Sequence, residues 1–302
     1  MKTVSLEDLL EKTSRTFALS IPVLPEPTRR EVMIAYLLFR IADTFEDASH
    51  WTPDDRIGAL ADFNGLLRSD SREKAEVLCR DWVGREVAHH AGYQELMAEV
   101  PFVLDAFFAL SPRAIPPIRE HVIRSADGMA SIVAKTRGGE LTLHSIRELQ
   151  DYCYIVAGIV GEMLTELFLL DRPGLSGIGA DMRERAATFG EALQLVNILK
   201  DSAADAEEGR RYLPAEVPKA EVFALARKDL GVAGDYIRTL QKADAPRGLI
   251  EFTALPVQLA WAALERVEKK GPGSKVSRPE VFMITQRLKK ALDRGELVRG
   301  QS

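Results

Sequence analysis

Cysteine is scarce in this sequence, and positive charge is not in excess. Two cysteines, Cys79 and Cys153, in 302 residues cannot form the dense disulfide framework of small secreted domains. We therefore expect a reducing compartment, the cytoplasm, and two buried thiols that pack as small apolar groups. The formal net charge of −5 argues against nucleic acid as the main partner, because such partners select basic surfaces.

Signatures of several common enzyme classes are also missing. The sequence has no Gly-x-Gly-x-x-Gly, Walker or His-Glu-x-x-His motif, so Rossmann-type, P-loop and zincin chemistry have no support. The adjacent His89 and His90 would point to different faces of a helix, which disfavours a metal site. The amino-terminal residues lack the apolar core of a signal peptide. No run approaches the roughly 20 apolar residues of a membrane span, so we expect a soluble chain and leave peripheral membrane contact open.

The pattern that fills the chain is helical. Apolar residues recur at three- and four-residue steps, Pro- and Gly-rich breaks separate the segments, and alternating strand patterns are missing. We predict one all-α domain, residues 1–302, with roughly ten helices. The predicted helices cover 29–47, 56–69, 73–90, 92–110, 115–135, 145–170, 179–206, 217–227, 229–243, 246–269 and 279–296.

Two acidic pairs interrupt the apolar pattern. Asp43 and Asp47 end one apolar run, Asp201 and Asp205 end another, and the chain has no other Asp-x-x-x-Asp pair. On a helix this spacing puts both carboxylates on one face, about 5–6 Å apart, which suits hard cations such as Mg²⁺. A single pair is usually a solvated helix face. Two pairs at the ends of two core helices are better explained if they face each other across a polyanion and its metal ions.

Basic and polar side chains accompany both pairs. Beside carboxylates they could form ordinary surface ion pairs, but near metal ions they fit diphosphate ligands, because Arg and Lys bind phosphate oxygens strongly. The predicted chemistry is Mg²⁺-assisted loss of diphosphate in an apolar cavity that shields a carbocation from water. The residues are Arg15, Tyr36, Arg40, Gln194, Asn197, Lys200, Arg210 and Arg211.

Five segments, in order, carry a family resemblance. They are SRTFALSIPVLP (14–25), YLLFRIADTFEDA (36–48), DYCYIVAGIVGEMLTELF (151–168), QLVNILKDSAADAEEGRRYLP (194–214) and FTALPVQLAWAALE (252–265). Together they resemble the squalene/phytoene synthase family of head-to-head isoprenyl synthases. The DTFED form of the first acidic motif is nearer to the squalene branch than to the phytoene branch. Lys200 departs mildly from the Arg of many relatives and keeps the charge.

The resemblance implies a fold and a reaction. The fold is a single-domain isoprenoid-synthase-type bundle around a central apolar cavity. The reaction is Mg²⁺-dependent condensation of two farnesyl diphosphates to presqualene diphosphate, followed by reduction with NADPH to squalene. The implied metal ligands are Asp43, Asp47, Asp201 and Asp205. Tyr152 matches a tyrosine near the cyclopropane proton, and Phe252 matches a ring beside the cation, although each could instead be a packing aromatic.

The same resemblance assigns the remaining ligand contacts. We expect the substrate diphosphates to be bound by Ser14, Arg15, Thr16, Tyr36, Arg40, Gln194, Asn197 and Arg210. We expect the NADPH phosphates to be bound by Asn197, Lys200, Lys275 and Arg278, although the loop KKGPGSKVSR could also be an ordinary basic connector. We expect a monomer.

The sequence leaves several other activities open. Related enzymes stop at presqualene diphosphate or make dehydrosqualene or phytoene without a reductive step. A non-catalytic relative acting as an assembly factor would not need all four aspartates. A terpene cyclase also uses Asp-rich helices, but the duplicated Asp-x-x-x-Asp pattern disfavours it.

Overall fold

Helices account for nearly all regular structure in residues 4–14, 16–136 and 141–298, the part of the chain that the computed structural model describes. This confirms the all-α prediction. By their contacts the elements form two units, Met1–Pro22 with Glu26–Arg137 and Val23–Pro25 with Gly138–Ser302. The prediction of one domain stays a prediction.

The first unit consists of helices with short connections. They are α1 (Leu6–Thr13), α2 (Phe17–Ser20), α3 (Thr28–Asp47), α4 (Pro53–Arg68), α5 (Arg72–Gly84), α6 (Ala91–Ala98), α7 (Val100–Phe108) and α8 (Ile115–Lys135). The start of α1 is set by Ser5, whose side chain accepts a hydrogen bond from the Asp8 backbone N–H. Thr52 caps α4 in the same way, because an N-cap oxygen satisfies an amide that has no partner within the helix.

Aromatic packing fixes the carboxyl end of α3. The Phe45 ring is fully buried and lies edge-on to Trp82, with ring centroids 4.7 Å apart. The rings of Phe63 and Trp51 also pack near it, with centroids at 6.2 and 6.5 Å. Trp51 donates its indole N–H to the Arg85 carbonyl, so its polar atom is satisfied. Burying such rings is the largest apolar contribution available to a small core, and here it holds the helix end that carries the first acidic pair.

The second unit holds the longer helices. They are α9 (Ile146–Cys153), α10 (Ile159–Asp171), α11 (Gly179–Glu207), α12 (Lys219–Lys242), α13 (Arg247–Lys270) and α14 (Arg278–Asp293). A π-helical turn, Tyr154–Gly158, joins α9 to α10, and a 3₁₀ helix, Pro173–Ile178, follows α10. Two very short strands, β1 (Leu141–Thr142) and β2 (Arg210–Arg211), pair in parallel.

Small residues let α11 approach the α9–α10 segment closely. A Cβ added at Gly161 would overlap the Ala186 carbonyl oxygen, and one added at Gly190 would overlap the Ala157 carbonyl oxygen. Neither glycine has room for a side chain, because the overlapping atoms belong to the backbone of the neighbouring segment and cannot move like a flexible side chain.

Helix existence was predicted better than helix boundaries. The predicted helix 73–90 ends at Gly84, and the predicted 92–110 is two helices that meet at Glu99, before Pro101. Proline lacks an N–H and interrupts the helical ladder, which accounts for the second error. The predicted break at 228 is wrong, because α12 runs through it. The helix α1 was not among the predicted segments.

The expectation that no segment is long and apolar enough to span a membrane is wrong for one helix. The continuous helical segment Ile146–Asp171 has the length and mean hydropathy, 1.8, of a span, which the sequence analysis did not expect. Half of its most apolar window is buried inside the protein, and the core helix of a soluble protein passes the same test.

The free thiols of Cys79 and Cys153 are buried, which confirms the prediction that both cysteines are buried.

Carboxylates from several helices gather beside the π-helical turn. Glu191 of α11 lies against Gly158, where an added Cβ would be 3.1 Å from the Glu191 Oε1 atom. Burial, followed by the charges of Asp229, Glu162 and Asp151, raises the pKa of Glu191 to about 7. Burial also raises the pKa of Asp229, on α12, to about 6. The packing of α11 on α12 therefore favours the protonated forms of Glu191 and Asp229.

Substituting Gly161 tests the close approach of the helices. Gly161→Ala should lower the free energy of unfolding by about 2 kcal/mol or more, because the new methyl group displaces backbone. Gly231→Ala on α12 is the matched control, since nothing lies within 4 Å of its added Cβ, and it should stabilise the protein by up to about 1 kcal/mol. Urea unfolding of both variants makes the comparison. Equal tolerance of the two alanines would contradict the close contact.

Glu191→Gln tests the raised pKa of Glu191 through the pH dependence of stability. The folded pKa of Glu191 lies above its ordinary value of 4.5, so its ionisation lowers stability progressively as pH rises from about 4.5 to about 7. Glu191→Gln removes that loss and should be more stable than the parent protein at pH 8, with the difference disappearing near pH 4.5. Glu184→Gln, an exposed change on the same helix, is the control. A Glu191→Gln effect independent of pH would refute the interpretation.

Candidate active site

A single polar stripe runs along α3. From Glu31 to Asp47 every residue is buried except Tyr36, Arg40, Asp43 and Asp47. Their spacing of four, three and four residues places them on one helix face. The first acidic pair therefore belongs to the same surface as two residues predicted to bind diphosphate, and the rest of the helix is committed to packing.

Arg40 lies at the centre of this stripe. Its guanidinium is 3.3 Å from the Asp43 carboxylate and contacts the rings of Tyr36 and Tyr93, at 5.7 and 5.5 Å from the centroids. Burial alone would lower the pKa of Arg40, but Asp43 and the two tyrosines raise it above its ordinary value, so the side chain stays charged. Its Nε atom is buried and has no hydrogen-bond partner among the described residues. A buried donor of this kind fits an oxygen of a bound anion.

Asp43 lies in an environment that disfavours its ionised form. Burial is the main reason that the pKa of Asp43 is raised to about 6; Asp47 raises it further, and Arg40 opposes the shift. Positive charge placed beside the pair would favour ionised Asp43. The donor set of two carboxylates one helical turn apart fits a hard divalent cation.

The segment between α1 and α2 lies beside the same stripe. Tyr36 donates its hydroxyl to the Thr13 carbonyl at 2.8 Å, and its ring lies 5.4 Å from Phe17. Ser14 accepts a hydrogen bond from the Phe17 N–H, and Thr16 precedes α2 without a side-chain capping bond. Tyr36 thus contacts Thr13 and Phe17, the residues on either side of the segment that carries Ser14 and Thr16. Arg15 lies outside the described residues.

The second acidic pair lies at the end of α11, in the other unit. Lys200 donates to the Asn197 side-chain oxygen at 2.9 Å and is 3.2 Å from the Asp201 carboxylate. Asp205 is 4.0 Å from the Arg210 guanidinium, which also pairs with Glu208. Gln194 lies one turn before this group, half-buried on α11. The structure therefore gathers all the predicted ligands of this motif within the last turns of one helix and the segment that follows it.

A glycine-rich loop is attached to the same helix. Gly273 donates its N–H to the Lys200 carbonyl at 2.7 Å, and Gly271 and Gly273 have φ of 86° and 83°, which favours glycine. Lys275 is exposed in this loop, and Arg278 is exposed at the start of α14. The predicted cofactor residues Lys200 and Lys275 thus belong to two segments that are hydrogen-bonded to each other.

Tyr152 has a partner that the sequence analysis missed. Its hydroxyl donates to the Tyr212 hydroxyl at 3.1 Å, and the ring centroids are 4.6 Å apart. Both side chains are buried. The strand pair β1–β2, extended by the Leu143 N–H donating to the Arg211 carbonyl at 3.0 Å, holds the segment that carries Tyr212. The sequence signal for Tyr212 is its position directly after Arg210 and Arg211, in the run RRYLP that ends the second acidic motif.

Phe252 is packed rather than free. It is 2% exposed and lies edge-to-face on Phe168, with the ring planes at 87° and the centroids 6.1 Å apart. Such a pair is a favourable aromatic geometry. The contact supports a packing role for Phe252 and leaves the predicted contact with a cation as a prediction.

Neither acidic pair is a complete metal site by itself. Within residues 4–14, 16–136 and 141–298 no group of three or more His, Cys, Asp or Glu side chains could hold a metal ion. Each pair offers two carboxylates. This suits Mg²⁺, which usually takes one or two carboxylates and completes its octahedron with waters and substrate phosphates.

Comparison with known proteins identifies the family. The squalene/phytoene synthase family model matches residues 10–229, which include both acidic pairs, Tyr152 and Tyr212. A solved structure described as a complex of TcSQS with the ligand BPH1237 superposes with a TM-score of 0.72 at 22% identity, covering 96% of this chain and 90% of that one. A second, with the ligand E5700, has a TM-score of 0.71 at 24% identity. These two likenesses concern the fold.

Curated relatives agree with the family model. The chain is 30% identical to the squalene synthase of Eremothecium gossypii, over 86% of this chain and 60% of that protein. It is 28% identical to the squalene synthase of Yarrowia lipolytica, over 94% and 63%, and 29% identical to the Botryococcus squalene synthase of Botryococcus braunii, over 69% and 42%. The chain thus spans less than two thirds of the length of these relatives. Because the family model covers both acidic motifs and the pair of Tyr152 and Tyr212, the chain belongs to the squalene/phytoene synthase family, a family of prenyltransferase-type enzymes.

Proposed function

We propose that this protein is a squalene synthase, which joins two farnesyl diphosphate molecules head to head and reduces the product with NADPH. The relatives named above are squalene synthases, which supports this branch of the family. The observation that carries the proposal is the polar stripe of α3, where Asp43 and Asp47 lie beside Arg40, whose buried Nε has no partner among the described residues. An ordinary solvated helix face would not leave a buried guanidinium nitrogen without a hydrogen-bond partner.

In this proposal the four aspartates bind the metal ions, and the surrounding donors bind the leaving diphosphate. Asp43, Asp47, Asp201 and Asp205 would hold Mg²⁺, which when bound neutralises charge on the leaving diphosphate. Arg40 would donate hydrogen bonds to diphosphate oxygens, since charge-assisted bonds to phosphate are strong. The other proposed diphosphate ligands are Ser14, Arg15, Thr16, Tyr36, Gln194, Asn197 and Arg210.

We propose that Tyr152 lies close to the proton that the substrate loses when the cyclopropane ring forms. A phenol is a weak base at neutral pH, so we propose that departing diphosphate shares the duty of accepting this proton. The bond from Tyr152 to Tyr212 fixes the orientation of the Tyr152 hydroxyl. Phe252 would stabilise a nearby carbocation, a contact worth about 0.5–2 kcal/mol for an aromatic ring.

The reductive half of the proposal depends on the loop that is hydrogen-bonded to α11. Asn197, Lys200, Lys275 and Arg278 offer an amide and three cations for the phosphates of NADPH, and the cofactor would supply the hydride. The hydrogen bond from Gly273 to Lys200 supports this grouping. The buried free thiols support the proposed cytoplasmic location, and we keep a monomer as the proposed state.

A product assay decides between the branches. Purified protein is incubated with farnesyl diphosphate and Mg²⁺, with and without NADPH, and the lipids are identified by mass spectrometry. Squalene formed only with NADPH is the expected result. Presqualene diphosphate or dehydrosqualene regardless of NADPH would move the protein to a non-reductive branch. No product from farnesyl or geranylgeranyl diphosphate would favour a non-catalytic relative.

Asp43→Asn tests the metal assignment. The amide removes a negative oxygen ligand while keeping the shape, so turnover should fall by at least about 100-fold and the Mg²⁺ concentration needed for half-maximal rate should rise. Circular dichroism should show an unchanged fold. Asp70→Asn, an exposed aspartate between α4 and α5, is the control and should keep parental turnover. Near-normal turnover in Asp43→Asn would contradict the assignment.

A further inference from the structure

The last described helix, α14, exposes apolar side chains on its outer side. Phe282 is 64% exposed and Met283 49% exposed, whereas Leu288 on the opposite side is 1% exposed. Helical geometry places Phe282 with Gln286 and Lys290, and Met283 with Arg287, on neighbouring rows of one face. Large neighbouring apolar side chains left in water on a firmly attached helix indicate a contact surface.

The inner side of α14 is well anchored, so the exposed pair does not result from a loose helix. Ser277 and Glu280 form a capping box at its start. The Arg247 guanidinium on α13 pairs with Asp293, and Arg266 pairs with Glu280. These contacts from α13 fix which face of α14 points outward.

The charges around α14 are unequally paired. Every acidic side chain on or beside the helix has a cation partner: Glu251 with Lys289, Glu280 with Arg266, Asp293 with Arg247, and Glu296 with Arg294. Arg287 and Lys290 are exposed and have no ion-pair partner within the described ranges. The outer face is therefore locally positive on a chain whose net charge is −5.

We propose that the outer face of α14, formed by Phe282, Met283, Gln286, Arg287 and Lys290, binds the surface of an anionic lipid bilayer. Apolar side chains of such a face insert into the interfacial region, and cations beside them are attracted to anionic headgroups. A second copy of the chain fits less well, because two such faces would bring like charges together. The surface does not depend on the proposed reaction.

Vesicle flotation of the full-length protein tests the proposal. The protein is mixed with phosphatidylcholine vesicles, with or without about 30 mol% phosphatidylglycerol, because anionic lipid supplies the attraction to cations. Binding is expected only to the anionic vesicles, and it should weaken strongly at about 0.5 M salt, where surface charges are screened. Absence of binding, or equal binding to both vesicle types, would overturn the proposal.

Two double variants separate the apolar and charged parts. Phe282→Ser with Met283→Ser should weaken vesicle binding by at least about tenfold, and Arg287→Gln with Lys290→Gln should weaken binding and reduce its salt dependence. The control is Val77→Ser with Val83→Ser on α5, where the side chains are 53% and 41% exposed; it should bind as the parent does. Thermal unfolding checks that all variants fold.

Two results would refute the proposal that this face of α14 binds lipid. One is a loss of binding in the control that equals the loss in the Phe282 and Met283 variant. The other is a concentration-dependent dimer in sedimentation velocity that disappears in the same variant, since that would assign the face to a second copy of the chain.

Discussion

The ion pair between Arg40 and Asp43 is the interaction on which the polar stripe of α3 depends. From Glu31 to Asp47 the only residues of α3 that are not buried are Tyr36, Arg40, Asp43 and Asp47, so Arg40 and the two aspartates share one stripe. Charges that are partly buried need a partner, because desolvation otherwise costs several kcal/mol. Arg40 supplies that partner and is itself covered by the rings of Tyr36 and Tyr93. The stripe thus presents two carboxylates beside one charged guanidinium.

The arrangement on α11 follows a different plan. Its acidic pair is neutralised by the flanking Lys200 and Arg210, and the surrounding contacts are made by connecting segments. The loop at Gly273 and the strand pair that precedes Tyr212 both attach to the region where α11 ends. Positioning therefore comes from packing on α3 and from local hydrogen bonds near α11.

Much of this could be predicted from the sequence, for identifiable reasons. Aspartates four residues apart at the ends of apolar runs predict shared helix faces, since helical period alone decides which residues are neighbours. Helix starts such as Ser277 follow from capping chemistry. The contact of Tyr152 with Tyr212 could not be predicted, because the residues are 60 positions apart and meet through a two-residue strand pair. The bond from Gly273 to Lys200 was equally hidden, since backbone contacts between distant segments leave no periodic signal. Continuation of α12 through residue 228 was missed because apolar periodicity does not show where a helix ends without a breaker.

The π-helical turn at Tyr154–Gly158 has a consequence for how this helix can vary among relatives. A π turn accommodates one more residue than an α turn, so the residues before it are rotated by about 100° relative to an uninterrupted helix. Tyr152 and Glu162 therefore lie in two different helical phases, and each phase matches its own neighbours. A relative with one residue fewer here would keep both packing faces only by losing the π turn. Its alignment would then need a single-residue gap inside a helix, a position where gaps are normally penalised.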